Sequence, residues 1–319
     1  MKHWLTILGV ALLSLLAPDA PAAEGDTPAA PDAQASEAPA EPVATFAESV
    51  DLTPLDRIAV QWEGRVKSFY SLARETTGGI TGPRGLEGQS PVFTYLDLMF
   101  RPESYHHRDM VYVKNQAMRG EIANQLLEAR AVDEAWAEHF TSRGQISFAL
   151  ITRPDVQNQI EVFRRDLLRT AKFVNQIDFA FFLAQPSTLM DRMRILPPTG
   201  ASENDRWLTI EAFNQPPMQP VTGVPIDPDL REPLHLHWSK LRLAWLQEDA
   251  ATVNTELAAF CDLLPQIAHD IYPDQDRLGW ESWYFRAGSM TWSWLIYLLA
   301  TMFLLGAVVY RWRTARWIG

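Results

Sequence analysis

The stretch MTWSWLIYLLATMFLLGAVVY, residues 290–310, carries no charged side chain. A helix of this length rises about 30 Å, at 1.5 Å per residue, which matches the thickness of the hydrocarbon core of a bilayer. The basic sequence RWRTAR follows directly, and positive charge beside a span favours the cytoplasmic side. Residues 290–310 are therefore predicted to form one transmembrane helix, and residues 311–319 a short cytoplasmic tail.

The first residues of the chain have the layout of a secretory signal. A positive start, an apolar run and the small-residue sequence Ala20-Pro21-Ala22-Ala23 follow one another. The apolar run is shorter than the roughly 20 residues that a spanning helix needs. We therefore predict a cleaved signal peptide at residues 1–23, with an uncleaved N-terminal anchor as the alternative. Both ends together predict a single-pass protein of the cytoplasmic (inner) membrane, whose large domain faces the periplasm.

The segment after the signal is low in complexity. Residues 24–45 are mainly Ala, Pro and acidic residues, with no aromatic side chain. Such a segment buries too little apolar surface to offset the entropy lost on ordering. We predict a disordered linker here, and a single extracytoplasmic domain at residues 46–289.

Charge and cysteine content restrict the function further. The formal net charge is −11, whereas binding to a phosphate backbone needs clustered Lys and Arg, so nucleic acid is excluded as a partner. Cys261 is the only cysteine, so the chain has neither an internal disulfide nor a C-x-x-C-H sequence for covalent haem. It follows Ala258-Ala259-Phe260 in an apolar helical pattern, which predicts a small core residue.

The pattern of apolar residues predicts a mostly α fold with a small β component (α+β). Apolar spacings of three and four residues indicate helices. The predicted helices cover residues 121–140, 155–182, 234–247 and 251–267, the last two forming a hairpin. Short strands are predicted at residues 58–62, 110–114 and 207–211.

Histidine spacing offers one candidate metal site. His235 and His237 form an H-x-H pair, which on a strand would point both rings the same way, as in many zinc sites. However, no third ligand is suitably spaced and the pair runs directly into a predicted helix, so we expect no metal. The sequences G-x-S-x-G, H-E-x-x-H and C-x-x-C are also absent, which favours binding over catalysis.

Four groups of residues, in chain order, resemble one protein family. They are the segment QWEGRVK with Leu72-Ala73-Arg74, the segment RILPP (residues 194–198) with Trp207, the positions Trp238, Leu241, Ala244, Asp249 and Asn254, and the residues Tyr272-Pro273, Arg277-Leu278, Glu281 and Tyr284. Together they are similar to the extracytoplasmic region and first membrane span of System II cytochrome c biogenesis proteins, the CcsA/CcsBA (ResB–ResC) synthetases. Two positions depart from the family pattern: Ser68 stands where the family usually has Pro, and Phe285 where it has Asn.

The resemblance implies a role in haem attachment. The family's synthetases continue through further spans, which carry a Trp-rich loop and the histidines that hold haem, whereas the present sequence ends after one span. It therefore resembles a membrane-anchored accessory or split subunit that binds and scaffolds and is not itself an enzyme. Its implied partners are a multi-span haem-handling synthetase subunit and, as a further possibility, apocytochrome c.

The resemblance also supplies candidate residues. Those for partner binding are Arg65, Lys67, Arg74, Glu281 and Tyr284. Haem would be handled by the complex, and no residue of this chain is assigned to it; His269 is the candidate nearest the membrane. A protonated imidazole at a helix C-terminus is also stabilised by the helix dipole, which would account for His269 without haem. The alternative function is a membrane-anchored extracytoplasmic enzyme, such as an envelope hydrolase, with an unrecognised site.

Overall fold

The computed structural model describes residues 46–198, 206–211 and 226–310. The predicted signal peptide, linker and cytoplasmic tail lie outside these residues. Within them the chain is mostly helical with two antiparallel strand pairs, which confirms the predicted fold class. The α-helices are α1 Phe69–Thr81, α2 Pro91–Phe100, α3 Gln116–Glu128, α4 Glu134–Arg143, α5 Phe148–Ile151, α6 Pro154–Arg165, α7 Ala171–Leu183, α8 Pro186–Arg192, α9 Pro228–Leu246, α10 Ala250–Leu263, α11 Gln275–Arg286 and α12 Ser289–Tyr310. The strands are β1 Ala59–Trp62, β2 Arg65–Ser68, β3 Asp109–Tyr112 and β4 Gln145–Ser147, and short 3-10 helices lie at Thr53–Arg57, Pro102–Tyr105 and Leu264–Gln266.

The first strand pair is a tight hairpin that leads directly into α1. Strand β1 confirms the prediction for residues 58–62, and it pairs with β2, which the sequence did not predict. Glu63 and Gly64 form the turn, with φ angles of 52° and 77°. Positive φ at both central residues is the geometry of a two-residue hairpin turn. Ser68 then ends β2 and caps α1, because its hydroxyl oxygen accepts the N–H of Ser71.

The second strand pair joins β3 to β4, and helices α3 and α4 lie between these two strands in the sequence. The single helix predicted over residues 121–140 is wrong, since α3 ends at Glu128 and α4 begins at Glu134. Arg130 adopts a φ of 52°, which no helix continues through, and the carboxylate of Asp133 accepts the Trp136 N–H at 2.7 Å. Asp133 therefore starts a new helix as its N-cap.

A buried arginine lies where the second strand pair meets the end of α4. Arg119 donates to the backbone carbonyls of Val113 at 2.6 Å and of Thr141 at 3.1 Å. A cation is favourable here because Thr141 is in the last turn of α4. Gly144 ends that helix with a φ of 82°, and a Cβ at this position would overlap the Arg119 guanidinium.

The long helix predicted over residues 155–182 is also wrong. The chain forms a hairpin of α6 and α7, whose apolar faces are both buried. Asp166 ends α6: its side chain accepts the N–H of Arg169 at 3.1 Å, and its carbonyl accepts the N–H of Thr170. Leu167, which the helical pattern placed on the apolar face, is therefore 82% exposed at the turn.

The predicted helical hairpin near the C-terminus is confirmed as α9 and α10. Trp245, in the first arm of this hairpin, lies in the core, and its indole N–H donates to the carboxylate of Asp97 at 2.8 Å. Asp97, on α2, also accepts the Tyr105 hydroxyl at 2.7 Å and Arg101 Nε at 2.6 Å. A buried carboxylate with three donors is satisfied, so this network fixes the hairpin against α2.

Two strand predictions have different outcomes. Residues 110–114 are confirmed as β3, with its bounds shifted slightly towards the N-terminus. Residues 207–211 form only a single bridge, between Leu208 and Leu196, rather than a strand.

The last two helices differ in burial. Helix α11 packs on the domain through residues such as Leu278 and Ser282, which are buried. Helix α12, by contrast, is long and apolar enough over Thr291–Val308 to span a membrane, and it is the one such helix in the described residues. Nearly all side chains within Thr291–Val308 are exposed, whereas a core helix would bury them.

Candidate functional site

Helix α11, which directly precedes α12, is hydrogen-bonded to the first elements of the domain. The carboxylate of Glu281 accepts the Ser68 N–H at 3.1 Å and the Ser71 hydroxyl at 2.6 Å. Both donors lie at the N-terminus of α1, where a negative charge is stabilised by free N–H groups and by the helix dipole. Glu281 is therefore held by the fold at the start of α1.

A second set of contacts links α11 to the 3-10 helix Thr53–Arg57. Arg286 donates to the Asp56 carboxylate at 2.8 Å, and its guanidinium lies 4.8 Å from the ring centroid of Tyr70. The Ser282 hydroxyl donates to the Asp56 carbonyl at 2.8 Å. Burial raises the pKa of Asp56, and the charge of Arg286 opposes that rise. The pair is thus a partly buried contact rather than a loose surface one.

A small buried cluster lies beneath α11, consisting of Ala59, Trp207, Tyr272 and Leu278. The Ala59 N–H donates to the Tyr272 hydroxyl at 2.9 Å, and the rings of Trp207 and Tyr272 are 5.8 Å apart. Burial raises the pKa of the Tyr272 phenol. Trp207 is held in turn by Gln61, whose side chain accepts its backbone N–H at 2.8 Å.

The partner-binding candidates differ in exposure. Arg65 and Tyr284 are exposed, and Arg74 is exposed with its guanidinium 5.3 Å from the ring centroid of Phe285. Lys67, however, is 5% exposed and pairs with Glu75. Because its ammonium is enclosed and already paired, a partner could reach Lys67 only by displacing Glu75.

The candidate metal pair does not have the geometry expected of it. His235 and His237 lie inside α9 rather than on a strand, so their side chains project about 200° apart around the helix. His237 Nδ1 instead lies 2.6 Å from Glu256 Oε2, and Lys240 Nζ lies 3.7 Å from the other oxygen of that carboxylate. Within the described ranges, no three His, Cys, Asp or Glu side chains group as metal ligands would.

His269 and Cys261 lie near the C-terminal end of the domain. Helix α10 ends at Leu263 and a 3-10 helix follows to Gln266, so His269 lies in an exposed turn rather than at an α-helix terminus. The helix-dipole argument for His269 is therefore wrong. Cys261 is buried, as predicted, and burial raises the pKa of its thiol.

An open groove next to α11 is a feature that the sequence pattern did not reveal. It lies between the 3-10 helix Thr53–Arg57 and α11, and has a volume of about 970 Å³. Arg57 contributes to one wall, and Trp280 and Trp283 to the other. The spacing of the two tryptophans, three residues apart, was the available signal, but it indicated only an interfacial aromatic belt.

Residues from three of the four segments that resemble System II proteins lie in contact with one another. The Gln61 N–H donates to the Arg194 carbonyl at 3.0 Å, and the guanidinium of Arg194 lies 5.7 Å from the ring centroid of Trp62. Gln61 also accepts the backbone N–H of Trp207, and the ring of Trp207 lies beside that of Tyr272. Glu281 in turn accepts the Ser68 N–H. Three of the four resembling groups are therefore in contact with one another. No family model matches the chain, and no curated protein matches it either.

Proposed function

We propose that the chain is a membrane-anchored accessory or split subunit of a cytochrome c biogenesis complex. In this role it binds and scaffolds, while a multi-span partner handles the haem. The resemblance of four ordered segments carries the proposal, and the contacts that join three of them support it. The domain would face the periplasm, with α12 in the inner membrane and the short tail in the cytoplasm.

The exposed residues of this surface are the proposed partner contacts. Arg65 and Arg74 present guanidinium groups, which suit carboxylates on a partner, and Tyr284 presents an aromatic ring of the kind that interfaces favour. These three residues lie on β2, α1 and α11, which the Glu281 contacts hold together. A partner would therefore meet a preformed surface.

Helix α12 provides a second proposed contact. A Cβ added at Gly306 would meet no atom within 4 Å, so the helix is open on that side. Small residues at such positions allow close approach of two helices in a membrane. We propose that α12 packs on a helix of the multi-span subunit through this face.

The test combines genetics with recovery of the complex. Deleting the chain should lower mature c-type cytochromes, and the full chain purified from solubilised membranes should carry a partner with haem absorbance. Arg65→Gln with Arg74→Gln should weaken that recovery, whereas Arg165→Gln, an exposed arginine on α6, should not. Normal cytochrome levels without the chain would remove the proposal and favour the alternative, a membrane-anchored enzyme.

A further inference from the structure

We infer that the groove between the 3-10 helix Thr53–Arg57 and α11 binds the headgroup of a zwitterionic phospholipid. The lipid would belong to the leaflet on the domain's side of the membrane. This inference rests on α12 spanning a membrane, and it is independent of any role in cytochrome assembly.

The chain connection places the groove close to the headgroups. Only Ala287 and Gly288 separate α11 from α12, so the Cα atoms of Arg286 and Ser289 lie within about 11 Å, at 3.8 Å per step. The apolar window of α12 begins at Thr291. Since the headgroup layer of one leaflet is about 5–8 Å thick, the last turn of α11 lies in or beside that layer.

One wall of the groove is aromatic. Trp280 is 67% exposed and Trp283 is 56% exposed, although α11 buries its opposite face on the domain. Their ring centroids are 5.6 Å apart and the ring planes meet at 82°, which makes an open corner. Aromatic faces arranged in this way attract alkylammonium groups, and Trp is enriched at membrane interfaces.

The groove also carries charges of both signs: the 3-10 helix contributes Arg57, and α11 contributes Asp276 and Arg286. Arg57 is the more loosely held of the two arginines, because its guanidinium lies 3.9 Å from Asp276 and both side chains are largely exposed. An exposed pair of this kind is weak, so the guanidinium can bind a phosphate. Arg286, by contrast, is already held by Asp56. The carboxylates of Asp262 and Asp276 also line the groove.

This combination fits one class of headgroup. A phosphoethanolamine or phosphocholine group carries a phosphate for Arg57 and an ammonium for the tryptophan corner and the two carboxylates. An anionic glycerol headgroup has no ammonium, and it would meet Asp262 and Asp276 with unfavourable charge. The volume of about 970 Å³ is within the range of about 300–1,000 Å³ that is usual for small-ligand sites.

The experiment uses the full chain purified in a detergent free of phospholipid. Dihexanoyl-phosphatidylethanolamine and dihexanoyl-phosphatidylglycerol are added in separate titrations, and bound lipids are counted by native mass spectrometry. We expect one saturable site that prefers the ethanolamine lipid at least tenfold. Arg57→Gln, and separately Trp280→Ser with Trp283→Ser, should each weaken binding about tenfold.

Matched controls separate the groove from general effects. Trp292→Ser removes an exposed tryptophan of α12, and Arg165→Gln removes an exposed arginine of α6; both should bind lipid like the unaltered chain. Thermal melting checks each variant, and if the tryptophan variant is unfolded, Arg57→Gln alone decides. Equal binding of both lipids, or unchanged binding by the variants, overturns the inference. Binding of free O-phosphoethanolamine as tight as that of the lipid also overturns the inference, because the groove would then be a site for a soluble phosphorylated amine rather than for a membrane lipid.

Discussion

The carboxylate of Glu281 accepts the hydroxyl of Ser71 at 2.6 Å, although 210 residues separate them in sequence. The same carboxylate accepts the Ser68 N–H. The helix beside the proposed span and the first helix of the domain are therefore one packed unit. A partner that meets Arg74 on one helix and Tyr284 on the other meets surfaces that cannot shift independently.

Glu281→Ala should destabilise the domain by about 1–3 kcal/mol, because it leaves the Ser68 N–H and the Ser71 hydroxyl without their acceptor in a largely buried place. Thermal unfolding of the full chain in detergent, followed by circular dichroism, measures the loss. Glu103→Ala, at an exposed glutamate of another helix, is the control and should melt like the unaltered chain. Equal melting of both variants would contradict the capping role.

Gly144→Ala should be strongly destabilising. The left-handed backbone alone costs about 1–2 kcal/mol for a residue with a Cβ, and overlap with the Arg119 guanidinium adds to this. Gly120→Ala is the matched control, since Gly120 lies inside α3 with open space around it. It should instead raise the free energy of unfolding, by up to about 1 kcal/mol. Denaturant titration compares the two, and a neutral Gly144→Ala would contradict the contact described.

Stability should fall as pH rises through the titration of Asp109. Burial raises the pKa of this carboxyl above its ordinary 3.8, although the Trp136 indole donates to it at 2.8 Å and opposes the shift. Above pH 3.8 the folded state therefore holds a proton that the unfolded state has released, so the contribution is lost as pH rises through the folded pKa. Asp109→Asn keeps an acceptor for the indole and should remove this slope.

The contribution of Asp155 to stability should change with pH in the opposite direction, and Asp155→Asn tests this. The hydrogen bond from Arg153 lowers the pKa of Asp155, so its stabilisation is present above the ordinary pKa and is lost as pH falls. Unfolding measured between pH 3 and 7 should show the two variants departing from the unaltered chain in opposite directions. Parallel pH profiles for the two variants would contradict the assignments.

The orientation of α12 can be measured directly. A reporter that is active only in the periplasm should be silent when fused after Gly319, because the basic residues 311–316 favour the cytoplasm. The same reporter fused after Gly288, ahead of the apolar window, should be active. Activity at the C-terminal fusion would reverse the topology.

His235→Ala with His237→Ala should leave the zinc content of the purified chain unchanged, because the two rings project apart on α9. Elemental analysis measures this. A modest loss of stability is expected from His237, whose ring contacts Glu256. Stoichiometric zinc that disappears in the double variant would support a metal site and the alternative enzymatic function.

The sequence predicts which segments form helices or strands better than it predicts the positions at which the helices end. The hairpin of α9 and α10 was predictable because both arms keep an apolar period over several turns. The apolar period also runs through residues 155–182, yet Asp166 ends α6 with local hydrogen bonds to its own backbone neighbours. Such bonds compete with the helix without changing the period, so the pattern alone does not show them.

The candidate surface was predictable only in part. Arg65, Arg74 and Tyr284 are exposed, but Lys67 is enclosed because β2 pairs with β1 and brings it beside Glu75 on α1. The sequence did not predict β2, so it could not predict this burial. The groove depends likewise on contacts such as that of Arg286 with Asp56, which are distant in sequence.

The closure of the domain by α11 has a consequence for biogenesis. The Ala59 N–H and the Ser68 N–H find their acceptors on Tyr272 and Glu281, each 213 residues later. In the order of synthesis, the opening hairpin therefore precedes these two acceptors by 213 residues. Its two N–H groups can gain their acceptors only once α11 has been made, so the native arrangement of the hairpin cannot be completed before that point.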